Sequence, residues 1–97
     1  MKLLFEWDRN KARENLRKHK VSFEEAKTVF NDPLFIMFAD EGHSQSEERF
    51  IGIGMSLSSK ILLVVYMERL EAEEYNLIRI ISCRKATVRE RKTYEEK

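Results

Sequence analysis

With 97 residues, 18 Lys and Arg against 17 Asp and Glu, a single cysteine and 42% apolar residues, the chain reads as one compact soluble domain over 1–97, neither disordered nor built on internal disulfides. No apolar run reaches the roughly 18–20 residues of a membrane span, and Met1-Lys2-Leu3-Leu4-Phe5-Glu6 is too short and acidic for a signal peptide, so a cytoplasmic protein without a membrane partner is expected. The net charge of +1 hides segregation: six basic residues fall in 8–20 and six in 79–92, whereas 40–48 carries only acidic ones.

Leu3-Leu4-Phe5 suits a short first strand. Asp8 is a fitting N-cap for a helix of about 8–19, with Ala12 and Leu16 on its apolar face and Trp7 and Ala12 at the staple positions. Ser22-Phe23-Glu24-Glu25 is a capping box, and Phe23, Ala26, Val29 and Phe30 give the second helix an apolar stripe that Asn31-Asp32-Pro33 ends. Strands are predicted at Leu34–Phe38, Arg49–Met55, Lys60–Tyr66 and Leu77–Cys83, the third being the most hydrophobic and the central one. Between them lie a polar loop at 40–46, a turn at 56–59 and an acidic loop at 67–76. Thr87-Val88-Arg89-Glu90 is another capping box and opens a terminal helix toward Tyr94. Short connections make antiparallel neighbours. The expected class is therefore α+β, a single antiparallel sheet of about four strands with two N-terminal helices and one C-terminal helix packed against it.

One strand carries an anomaly. Leu77, Ile78, Ile80 and Ile81 suit a core, but Arg79 does not, because a guanidinium keeps its charge and needs solvent or an anion. Arg84 and Lys85 follow directly. Arginine forks stabilise charge that builds on a phosphate during RNA cleavage, where the 2′-hydroxyl supplies the nucleophile. Under strict alternation Arg79 and Arg84 point to opposite faces, so they cooperate only if the strand ends or bends near Ser82. The competing expectation is an ion pair from Arg79 to Glu68 or Glu74.

Candidates for proton transfer are His43, Glu68, Tyr66 and Tyr94. Asp40, His43, Glu47 and Glu48 form a loose set of metal-ligand types with no motif spacing, so no metal and no cofactor are expected. Cys83 reads as a small core residue. The basic helix 8–20 leaves open a plain nucleic-acid-binding module that reads backbone rather than sequence.

Phe5-Glu6-Trp7-Asp8, Asn15-Leu16-Arg17-Lys18-His19, Val21-Ser22-Phe23-Glu24-Glu25-Ala26, Val29-Phe30 and Asp32-Pro33 together resemble the start of the BrnT toxin family. Glu48-Arg49-Phe50-Ile51-Gly52, Glu68-Arg69, Arg79-Ile80-Ile81-Ser82-Cys83-Arg84-Lys85-Ala86, Glu90 and Tyr94 continue the resemblance over nearly the whole chain. It implies the toxin of a bacterial type II toxin–antitoxin pair with a RelE-like ribonuclease fold. A protein antitoxin would neutralise it and carry the contact to operator DNA. The chain departs from the pattern at Tyr66, where many relatives carry histidine, at Cys83, and in its longer, more acidic 70–76 segment.

Charge map and resemblance together assign Arg79 and Arg84 to the scissile phosphate, and Glu68, His43 and Tyr66 to proton transfer. Lys85, Arg49, Arg69 and Arg89 go to the RNA backbone. The expected activity is a metal-independent endoribonuclease. The alternative is a catalytically silent module that only docks its antitoxin. Both a homodimer and a heterotetramer with the antitoxin stay open.

Overall fold

The computed structural model describes residues 2–40, 48–72 and 74–96. Their elements are β1 (Lys2–Glu6), α1 (Arg9–His19), α2 (Phe23–Thr28), β2 (Ile36–Ala39), β3 (Glu48–Met55), β4 (Ile61–Ala72), β5 (Tyr75–Lys85) and α3 (Val88–Glu95), with a 3-10 turn at Val29–Asn31 after α2. The five strands form one sheet in the order β1-β5-β4-β3-β2. The sheet is therefore mixed, not purely antiparallel, and has five strands rather than four. β1 lies parallel to β5, with Leu4 opposite Leu77 and Glu6 opposite Arg79, while the other pairs are antiparallel. The two-helix crossover between β1 and the rest of the sheet gives the chain the length that a parallel pairing needs.

The expected acidic loop at 67–76 is instead the far end of a long hairpin. β4 runs on to Ala72 and β5 starts at Tyr75. Strand pairing tolerates the charges here because Arg69, Leu70 and Glu71 of β4 are exposed, while β5 is flanked on its other edge by β1. Glu68 accepts a hydrogen bond from the Asn76 amide across the pair (2.7 Å), and Arg69 pairs with Glu71 on its own strand (3.0 Å).

Helices cover both faces. On one side α1 and α2 bury Val21, Phe23, Ala26 and Val29 against Leu62, Val64, Tyr66, Ile78, Ile80 and Cys83. Gly52 and Gly54 keep this face shallow: a Cβ on Gly52 would stand 2.4 Å from the Phe35 ring, and one on Gly54 would stand 3.1 Å from the Val29 carbonyl. On the other side Tyr94 of α3 packs with Ile53 and Leu63 over the fringe of Ile36, Ile51, Ile61 and Val65.

Capping follows the sequence at all three helix starts, but the box expected at Ser22–Glu25 is one-sided, because the Glu25 carboxylate accepts from the Ser56 hydroxyl instead (2.7 Å). Asp8 accepts from the Asn10 N–H (2.9 Å), Ser22 from the Glu25 N–H (3.0 Å), and Thr87 and Glu90 form a reciprocal box. The face of α1 differs from expectation. Leu16 is 49% exposed, and Asn15 is the buried residue. Where β1 stops at Glu6, the remainder of β5 has a free edge, and the Asn15 amide takes the place of a strand there. It donates to the Cys83 carbonyl (2.9 Å) and the Val21 carbonyl (3.0 Å), and it accepts from the Cys83 N–H (3.0 Å).

Candidate functional site

A β-bulge decides where the arginines point. Opposite β4, Val65 pairs with Ser82 and Tyr66 with Ile80, so Ile81 is one residue more than the ladder needs. Ile78, Ile80 and Cys83 therefore all face α1 and α2 despite the odd spacing between the last two. Arg79 pairs with Met67 and Arg84 with Leu63, which puts both arginines on the α3 side. Only about four strand steps separate them, roughly 13 Å at 3.3 Å each, with Ser82 paired to Val65 midway.

The far row of this face runs across β3, β4, β5 and β1. Register places Arg49 opposite Met67, Met67 opposite Arg79, and Arg79 opposite Glu6. The Asp40 N–H donates to the Arg49 carbonyl (2.8 Å), extending the row by one residue beyond β2. The two arginines thus flank Met67, with carboxylates outside them.

Each arginine on the face has an anionic neighbour. Arg79 Nη1 is 2.8 Å from Glu6, and both side chains are about half exposed. This contact replaces the expected one to Glu68 or Glu74. One N–H of the Arg79 fork is engaged, leaving donors for a second anion. Arg84 is held more firmly, with Nη1 and Nη2 on the two Glu90 oxygens at 2.9 and 3.0 Å. That two-point contact holds the Glu90 carboxyl down at about 2 and raises the Arg84 pKa further above its ordinary value. Arg49 Nε lies 3.5 Å from Asp40, buried and without a hydrogen-bond partner among the described residues.

The remaining predicted residues are scattered. Tyr66 lies on the α1–α2 side, 1% exposed beneath Phe30, Phe35 and Phe50, and burial, with Glu68 adding to it, raises its pKa well above the ordinary tyrosine value. Glu68 is paired with Ile78 and belongs to the same side. The sheet therefore separates Tyr66 and Glu68 from Arg79 and Arg84. Arg69 sits on the hairpin extension, while Lys85 and Arg89 are exposed at the end of β5 and the start of α3. Tyr94 donates to Asp32 (2.5 Å), which also accepts from the N–H groups of Leu34 and Met55. Burial, then Asp32, pushes its hydroxyl up to about 12, so Tyr94 fastens α3 to the turn before β2. Cys83 is buried beside Asn15, and desolvation pushes its thiol up to about 12. His43 and Glu47 lie outside the described residues, and with them half of the loose metal-ligand set.

Sequence reasoning missed Glu6, Asp40 and Glu90 as partners of the arginines. Glu90 was visible as a capping-box residue, but nothing local announces a carboxylate that also grips a strand arginine. Glu6 becomes a partner only once the parallel register is known.

An apolar sheet face with three guanidinium groups, two of them partly exposed, is fitted to hold a phosphodiester. The family model described as "Ribonuclease toxin, BrnT, of type II toxin-antitoxin system" matches residues 7–90. The chain belongs to the BrnT family. Its class is thereby that of a ribonuclease toxin whose partner is an antitoxin and whose substrate is RNA. The crystal structure of the Brucella abortus ribonuclease toxin BrnT, at 20% identity, superposes with a TM-score of 0.61 over 90% of this chain and 99% of that one. At that identity the likeness concerns the fold: the Brucella BrnT and this BrnT-family chain share the α+β architecture. No curated protein matches the sequence.

Proposed function

We propose that this BrnT-family chain is a metal-independent endoribonuclease acting on the α3 side of its sheet, with Arg79 and Arg84 flanking the scissile phosphate above Ser82. The observation that carries the reading is the bulge at Ile81, which turns two arginines of odd spacing to one face. The substrate's own 2′-hydroxyl attacks phosphorus, and the guanidinium forks take up the charge that develops on the phosphoryl oxygens. Arg49, across Met67 from Arg79, holds the neighbouring backbone, and Lys85, paired with Leu62 at the exposed end of β5, reaches it around the strand end. Because Tyr66 and Glu68 lie behind the sheet, the reading assigns proton transfer to His43. The chain works as one domain in the cytoplasm, and its antitoxin neutralises it and carries the contact to operator DNA. The mass of the purified complex distinguishes a toxin homodimer from a heterotetramer with the antitoxin.

The test is expression without antitoxin. The parent arrests growth and degrades RNA, while Arg79→Ala and Arg84→Ala each lose on the order of 10²–10³ in cleavage rate, the scale of one lost charge-stabilising donor. Full arrest by either variant refutes the assignment. The ion pairs to Glu6 and Glu90 favour one competing reading, a silent module that docks its antitoxin. In that case RNA stays intact after induction.

A further inference from the structure

A second cationic site lies at the other end of the α3 side. Between the β3–β4 turn and α3 is a cleft of about 330 Å³, lined among others by Lys60, Lys85, Arg91, Glu95, Met55 and Ile61. Its charge balance is the reverse of that on the sheet face. Arg49, Arg79 and Arg84 each have a carboxylate neighbour, whereas Lys60, Lys85 and Arg91 have no ion-pair partner among the described residues. Three cations meet one acid, Glu95. The volume is at the lower end of the range for small-molecule clefts, the size of a single nucleotide. The cleft also adjoins the sheet site through the chain itself, since Lys85 follows Arg84 at the end of β5.

The geometry points to this cleft as a subsite for one nucleotide of single-stranded RNA beside the scissile phosphate. Lys60, Lys85 and Arg91 take a backbone phosphate. Met55, 40% exposed, and Ile61 give an apolar surface against which a base can lie. Glu95 accepts from a base N–H or a ribose O–H of the nucleotide. The inference rests on the proposed RNA cleavage at Arg79 and Arg84, and it adds Lys60 and Arg91, which that reading does not use.

The full chain is titrated with a fluorescein-labelled ten-nucleotide RNA carrying 2′-O-methyl groups, which removes the nucleophile and leaves binding alone to be read. Anisotropy is followed from 50 to 300 mM KCl, the parent against Lys60→Gln/Arg91→Gln. Arg91 is exposed and Lys60 only half-buried, so the double variant keeps its fold, which circular dichroism verifies. Each phosphate contact to a single strand adds about 0.7 to the slope of log K against log salt, so the double variant, which weakens the hold on this one phosphate, loses up to about 0.7. An unchanged slope overturns the subsite. On unmodified RNA the double variant raises KM about tenfold and keeps kcat within twofold.

Amide NMR shifts at Lys60, Ile61 and Ala86 saturate with adenosine monophosphate and stay smaller with inorganic phosphate. Equal shifts with phosphate overturn the nucleotide assignment in favour of a bare anion site. Saturation by an acidic decapeptide, with no response to the oligonucleotide, overturns it in favour of a protein partner. The two readings fail separately. A parent that cleaves no RNA but shows the slope difference refutes the nuclease and supports the subsite. Cleavage that requires Arg79 with no slope difference does the opposite.

Discussion

Asn15→Asp changes one donor group into an acceptor without changing side-chain shape, and the structure sets its cost. The Asn15 amide nitrogen donates to the carbonyls of Val21 (3.0 Å) and Cys83 (2.9 Å) at a site 7% exposed. The carboxylate keeps the contact from the Cys83 N–H and loses both donations. Two hydrogen bonds are worth about 1 kcal/mol each, and leaving two carbonyl oxygens facing an anion adds about 1–3 kcal/mol, so the loss is about 3–5 kcal/mol. Total stability for a chain of this size is of order 5–15 kcal/mol.

The substitution also carries a sign in pH. Burial and the facing carbonyls raise the folded-state pKa of the introduced carboxyl above its unfolded value of about 3.9. The protonated form is tolerated better, so the deficit against the parent is smallest below about pH 4 and grows as pH rises through the folded value. Urea unfolding at pH 4 and pH 7.5 reads both effects. With a slope of about 1.5 kcal/mol per molar, the midpoint falls by roughly 2–3 M at pH 7.5 and by visibly less at pH 4. A fall under about 0.5 M, or the same fall at both pH values, would refute the view that Asn15 replaces a missing strand beside β5.

Three further expectations concern the sheet. Gly52→Ala drives a methyl into the Phe35 ring, with 2.4 Å between them before relaxation, and costs about 1–3 kcal/mol by thermal melting; an unchanged midpoint would mean that Phe35 does not rest on the strand. The Glu90 carboxyl, held at about 2 by Arg84, contributes stability that is present above its unfolded value of 4.5 and lost as pH falls toward 2. With Arg84 38% and Glu90 25% exposed, solvent screening reduces this to about 1–2 kcal/mol, and Glu90→Gln should remove that part of the acid limb in a pH series of unfolding curves. Tyr66→Phe keeps the packing against Phe30 and should leave RNA cleavage within twofold of the parent, whereas a hundredfold loss would place its hydroxyl in the reaction.

Signals written locally were the legible ones. Asp8, Ser22 and Thr87 announced three helix starts because an N-cap is satisfied within three residues of itself. The central position of β4 followed from an unbroken apolar run. The parallel partner of β1 was not legible, since a five-residue segment contains nothing that selects an edge 73 residues away. The hairpin extension at 67–76 looked like a loop because its charges are met only once the hairpin forms, Glu68 by the Asn76 amide across the pair and Arg69 by Glu71 on its own strand, where a linear reading sees only acidity. Asn15 looked like surface because a buried amide is recognised only by the strand edge it completes. Arg79 and Arg84 stood out by composition, but whether they share a face depended on a ladder irregularity that no glycine or proline marks.

That irregularity makes this part of the chain sensitive to length rather than to identity. With Ile81 as the surplus residue, deleting it would leave Ile80, Ser82, Cys83 and Arg84 in plain alternation, with both arginines still on the α3 side. One further inserted residue, paired in the ladder, would instead turn Arg84 toward α1 and expose Cys83. Shortening here is the tolerated change and lengthening the harmful one, the reverse of what surface loops allow.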